Sequence, residues 1–66
     1  MQIIFTKHSL ERISERGILK EDIINLIIHP EKITKKHGKT FYKLNNLEVC
    51  CEQKEKVIKA VAAYWI

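Results

Sequence analysis

The chain has one proline, two glycines and two cysteines in 66 residues, and each scarcity closes off a class of protein. So little proline and glycine excludes collagen-like and low-complexity chains. The two cysteines, Cys50 and Cys51, are adjacent. With no second pair and no CxxC spacing they supply neither a zinc ribbon nor a disulfide framework. Neighbouring side chains on a strand point to opposite faces, so these read as two reduced thiols that diverge. The longest unbroken apolar stretch is Ala60 to Ile66, far short of the roughly 20 residues of a spanning helix, so no membrane association is expected. The opening Met1 to Lys7 lacks a basic segment leading a long apolar one and lacks a small-residue cleavage site. A cytoplasmic, unprocessed chain is the expectation. His8, His29 and His37 lack metal-ligand spacing, and neither a metal nor a cofactor is expected.

With 45% hydrophobic and 30% charged residues, the chain is apolar enough to fold. It contains no repeat and no linker-like stretch, so residues 1–66 read as one α+β domain. A chain this short buries only about 60% of the surface its unfolded state exposes, and its stability margin is thin. The net charge is +4, and its placement matters more than its size. From Lys32 to Leu47 there is no acidic residue, while Lys32, Lys35, Lys36, Lys39, Lys43 and His37 all fall there. Such a local field suits a phosphate-bearing partner through counterion release. A lysine-rich edge that blocks strand-to-strand aggregation accounts for it equally well.

Ile3 to Phe5 is a short strand candidate, and Thr6 stands where a helix N-cap belongs. Lys7 to Arg16 reads as a first helix with Leu10, Ile13 and Gly17 inward, and Gly17 suits the left-handed C′ position. A second helix is expected from about Lys20 to Ile28, with Glu21 and Asp22 in its first turn and Pro30 ending it. It is apolar almost all round, which predicts an inner element between the sheet and the first helix. Strand grammar follows. Glu31 to Lys36 is a weak candidate, His37-Gly38 a turn, Lys39 to Leu44 a strand, and Asn45-Asn46 a two-residue hairpin. Leu47, Val49 and Cys51 then alternate with polar positions, and Gln53 to Lys56 is a polar turn. Val57 to Ile66 is apolar on both faces and is placed inside the sheet. The order predicts a short N-terminal strand, a helical hairpin and a three- to four-stranded antiparallel meander, with the helices on one face of the sheet.

On the first helix, His8 and Arg12 lie one turn apart on a face away from the apolar stripe, with Arg16 on its shoulder. An imidazole moves protons near neutral pH and guanidinium groups hold phosphate oxygens bidentately. Metal-independent cleavage of an RNA phosphodiester needs a base, an acid and cationic support. His8, Tyr64 or a lysine, and Arg12 or Arg16 have the chemistry for those roles. The competing reading makes His8 a satisfied surface group and the arginines braces for the helix. Among the aromatics, Tyr42 shares a face with Thr40 and Leu44, while Phe41 shares the other with Lys43. Tyr64 and Trp65 oppose each other, so one lies beneath the helices and the other on the open face. An aromatic on that open face serves a stacked base or a dimer contact.

The stretch His8-Ser9-Leu10-Glu11-Arg12-Ile13-Ser14-Glu15-Arg16-Gly17-Ile18 resembles the signature of the DUF4258 family. The acidic pair Glu21 and Asp22, the His29-Pro30 ending and the strands after it extend the resemblance over essentially the whole chain. The family is identified with small relatives of the RelE/ParE (BrnT-like) toxin superfamily. The resemblance implies a RelE/ParE-like fold and a toxin-like, RNA-acting protein of a toxin–antitoxin type system. That implies RNA as ligand, with association to the ribosome one form of it, and an antitoxin protein as partner. Two departures accompany the likeness. Leu19 stands where the family has a serine or threonine cap, and Ala60 to Ile66 lacks the basic residue that ribosome-dependent RelE-type nucleases use near their end.

Two functions follow as expectations. One is a metal-independent endoribonuclease with His8, Arg12, Arg16 and Tyr64 at its centre and Lys32, Lys35, Lys36, Lys39, Lys43 and Tyr42 on the RNA. The alternative is a non-catalytic module that binds RNA or protein, or a structural homodimer, on the same fold.

Overall fold

The computed structural model describes residues 2–66. Strand β1 (Gln2–Phe5) runs into helix α1 (Lys7–Glu15), whose start is fixed by a reciprocal cap. The Ser9 amide donates to Thr6 Oγ1 and the Thr6 amide donates to Ser9 Oγ, each at 3.0 Å. This is the N-cap expected at Thr6, closed by Ser9 in place of the usual acidic or amide partner. The helix ends at Glu15 with Arg16 as its C-cap, and Gly17 takes φ +69°. The Gly17 and Ile18 amides then return to the carbonyls of Ser14 and Ile13 at 3.1 and 2.8 Å. This double return satisfies carbonyls the helix would otherwise leave open and drops Ile18 into the core.

Helix α2 (Lys20–Ile28) has the expected bounds. Leu19 has no oxygen with which to cap it, and the Asp22 carboxylate reaches back to the Leu19 amide at 3.3 Å instead. At the other end His29 leaves helical space before Pro30, as the proline requires. Then come β2 (Lys32–Lys36), β3 (Lys39–Leu44), β4 (Leu47–Lys54) and β5 (Val57–Trp65). The His37-Gly38 turn has positive φ at both residues, the geometry whose twist matches that of the flanking strands. In the Asn45-Asn46 turn only Asn45 is left-handed.

The five strands form one sheet in the order β1-β5-β4-β3-β2, with every pair antiparallel except β1 and β5. The last strand is therefore internal, as its two apolar faces imply. Both helices lie on the same face of the sheet, α1 on β5 and α2 on β4 and β3. The expectation that α2 would be sandwiched beneath α1 is corrected. Helix α1 reaches the sheet itself, through Ser9 and Ile13, its two buried residues. Its inward stripe is accordingly rotated by about one residue from the one expected, and Leu10 and Gly17 are exposed. The core unites Ile13, Ile18, Ile23, Leu26 and Ile27 with Tyr42, Leu47, Val49, Cys51, Ile58, Ala60 and Ala63 of the sheet. No helix among the described residues is long and apolar enough to cross a membrane.

A bulge decides which side chains of β5 face that core. Cys50 pairs with Ala62 and Cys51 with Ala60, leaving Val61 as an extra residue. The extra residue shifts the alternation, so that Ala60 and Ala63 both face the helices. Trp65 follows Ala63 onto the helical side, opposite Leu47, and Tyr64 goes to the open side, opposite Glu48.

Candidate nucleic-acid interface

All five residues of β2 are exposed, and the strand forms an edge of the sheet. Its pairing with β3 sets Lys32 opposite Lys43 and Lys36 opposite Lys39. By alternation these four lysines share the open face, and Lys35 lies on the other side with Ile33. Like charges directly opposite one another destabilise a hairpin, so two such rungs on one face run against stability. Beyond the Lys36–Lys39 rung the hairpin tip bounds an open hollow of 540 Å³ lined by Lys35, Lys36, His37, Lys39, Gln53 and Glu55, among others. Lys39 stands 3.6 Å from the Glu52 carboxylate, the single salt bridge among the described residues. Both side chains are about half exposed, so this contact leaves most of the local positive field in place.

The open face continues over β4 and β5. Tyr64 Oη donates to Glu48 Oε2 at 2.6 Å. Burial, followed by that bond to Glu48, pushes the phenol up to about 12. A phenol so held keeps its proton at neutral pH and spends it on Glu48. Glu48 is drawn toward Tyr64 and makes no ion pair with Lys43, which faces it across the strands. The two thiols diverge as alternation requires. Cys51 lies in the core, where burial holds its thiol at about 12. Cys50 lies on the open face, raised first by burial and then by Glu52 and Glu48, against an opposing pull from Lys39. Neither is a thiolate nucleophile at neutral pH.

Several expected site residues stand apart from this surface. Tyr42 is a correction: only 8% exposed, it packs in the core beneath α2, so its ring cannot meet RNA. Burial also raises its phenol, with Cys51 adding to the effect. The alternation that put Tyr42 with Thr40 and Leu44 already aimed it at the helices. Arg16 is exposed, but its side chain is engaged with the sheet. Its Nη1 donates to the Ala63 carbonyl at 2.7 Å, so the guanidinium holds the end of α1 on β5. His8 and Arg12 remain exposed one turn apart on α1. Among the described residues neither has a salt bridge or a side-chain hydrogen bond. They lie on the helical side of the sheet, whereas Tyr64 and four of the lysines lie on the open side. Helix α1 sits over β5, and β2 is three strands away, a separation of about 14 Å.

Phe41 and Glu48 belong to this surface and were not among the expected site residues. Phe41 sits on β3 between Lys39 and Lys43 in the alternation, half-buried, opposite Thr34 on one side and Cys50 on the other. The parity it shares with those two lysines was the available signal.

Residues 5–65 match the family described as "Domain of unknown function (DUF4258)". No curated protein and no solved structure matches the chain.

Proposed function

The chain belongs to the DUF4258 family, and we propose that this member is an RNA-binding protein that grips the phosphate backbone with its β2–β3 hairpin. The observation that carries the reading is the pair of lysine rungs, Lys32–Lys43 and Lys36–Lys39, on an exposed face. Aggregation control needs charge on an edge, and the outward side chains of β2 alone would supply it. Repeating the charge on β3, opposite the same residues, adds repulsion that an anion relieves. Binding without cleavage is the form best supported. The imidazole and guanidinium of α1 and the phenol of β5 stand on opposite sides of the sheet, so no base, acid and cation converge on one phosphate. On this reading the chain is a toxin-like, RNA-acting relative of the RelE/ParE proteins, with an antitoxin-type protein as its partner.

The test is retention of RNA by the purified protein as salt is raised. Affinity falls with salt at a slope near −0.7 for each phosphate neutralised on a single strand. Replacing Lys32, Lys36, Lys39 and Lys43 by glutamine should weaken binding at least tenfold and flatten that slope. Binding unchanged in that variant would end the proposal.

A second reading, endoribonuclease action, is favoured by the unengaged state of His8 and Arg12. Under it, induced expression arrests growth, His8→Ala relieves the arrest with the fold intact, and RNA incubated with the protein is cut. Arrest with RNA bound but uncut points to binding alone.

A further inference from the structure

We infer that the RNA held by the lysine hairpin is single-stranded and that Phe41 is the platform on which one of its bases stacks. The inference rests on the RNA-binding reading above and adds the form of the ligand and the side chain that reads it.

Three successive rungs of the β2–β3 hairpin face the open side of the sheet: Lys32–Lys43, Thr34–Phe41 and Lys36–Lys39. Phe41 therefore lies midway between two lysine rungs, with its backbone about 7 Å from each along the strand. No helix covers this side, because α1 and α2 both pack on the other. Phe41 is half-buried, its ring bordered by Thr34 and by Cys50. A base in a duplex is already stacked above and below, so a ring at this position has nothing to offer it. An unpaired base presents a free face, and stacking on an aromatic is how sheet surfaces take up single strands.

The charges on the neighbouring strands set the direction of the chain. On this face β4 carries Glu48 and Glu52 where β2 and β3 carry lysine, and a cation beyond them, Lys59 of β5, lies opposite Glu52 near the hairpin tip. A phosphate backbone is attracted over β2 and β3 and repelled from β4, so the bases project from the hairpin toward β4 and β5. In that direction lie the short side chains of Cys50 and Ala62, paired with each other. Beyond them is the Tyr64 ring, fixed by its bond to Glu48. Phe41 thus takes the base nearest the backbone, with a second ring available across a strip of small side chains.

The experiment is fluorescence anisotropy with a labelled single-stranded RNA of about ten nucleotides and with the same strand in a duplex, using the full chain. The expected result is at least tenfold tighter binding of the single strand. Phe41→Leu should weaken it by roughly fivefold or more while leaving the salt slope unchanged, and Phe41→Tyr should bind within about twofold of the parent. In parallel, a 5-bromouridine-substituted single strand irradiated on the unaltered protein should attach to the peptide containing Phe41, which keeps the test valid if Phe41→Leu does not fold. Equal affinity for the two RNA forms, crosslinks confined to other peptides, or a fully active Phe41→Leu would overturn the inference. Lysine variants that still weaken binding would then leave the RNA-binding reading intact. Absence of binding to either RNA overturns both. Concentration-dependent dimerisation lost in Phe41→Leu, with RNA binding unaltered, would mark the face as a contact between copies and overturn the inference.

Discussion

The indole Nε1 of Trp65 donates to the carbonyl of Arg16 at 2.8 Å, and the Arg16 guanidinium donates to the carbonyl of Ala63 at 2.7 Å. The end of α1 and the end of β5 are therefore tied twice, once from each direction. Both bonds serve carbonyls near element ends, where backbone partners run out.

Arg16→Ala removes a charged donor from a backbone carbonyl and should cost about 1–2 kcal/mol. In a domain of this size that lowers Tm by roughly 5–10 °C. Arg12→Ala, on the exposed flank of the same helix, should fall within about 0.5 kcal/mol of the parent. Thermal unfolding followed by circular dichroism separates the two. Equal losses would mean that Arg16 is no brace.

Tyr42→Ala should unfold the protein or nearly so, since emptying a buried aromatic site costs about 3–5 kcal/mol and small domains have little to spare. Tyr42→Phe keeps the ring in the core and should retain both the fold and RNA binding. Loss of RNA binding in a folded Tyr42→Phe would show the phenol at work outside the core.

The buried thiol of Cys51 and the phenol of Tyr64 are both held at about 12, from ordinary values of 9.0 and 10.0. Each group binds its proton more tightly folded than unfolded. Their contribution to stability is full below about pH 9 and is lost as pH rises toward 12. A urea titration repeated from pH 8 to 11 should show stability falling across that window, and Cys51→Ala should flatten the fall. A thiol reagent at pH 8 should leave Cys51 untouched in the native protein and modify it promptly once urea unfolds the chain.

Lys32→Gln with Lys43→Gln removes one like-charge rung. Stability should rise by roughly 0.5 kcal/mol while RNA binding weakens and its salt slope flattens. Opposite signs in the two measurements would mark these lysines as kept for a ligand at the expense of the fold. A loss in both would assign them a structural part.

The element order, the cap at Thr6, the left-handed Gly17, the bounds of α2 and the His37-Gly38 turn were all legible in the sequence. Each depends on residues a few positions apart, and backbone sterics act over that range. The interior position of β5 was legible too, because a strand with two apolar faces needs cover on both. The cationic surface could be located to the β2–β3 segment from its run of lysines without an acid.

What the tertiary structure alone decided were the facings of α1 and of the end of β5. A nine-residue helix with few apolar positions does not fix its own rotation, and contact with β5 set the Arg16 guanidinium on the Ala63 carbonyl. Strand parity is set by the chain but can be reset by one extra residue, and pairing with β4 placed that residue at Val61. The bulge sent Trp65 to the helices and Tyr64 to the open side, and so divided the groups that a cleavage site would have needed together. Such outcomes depend on partners far along the chain, and local preference does not encode them.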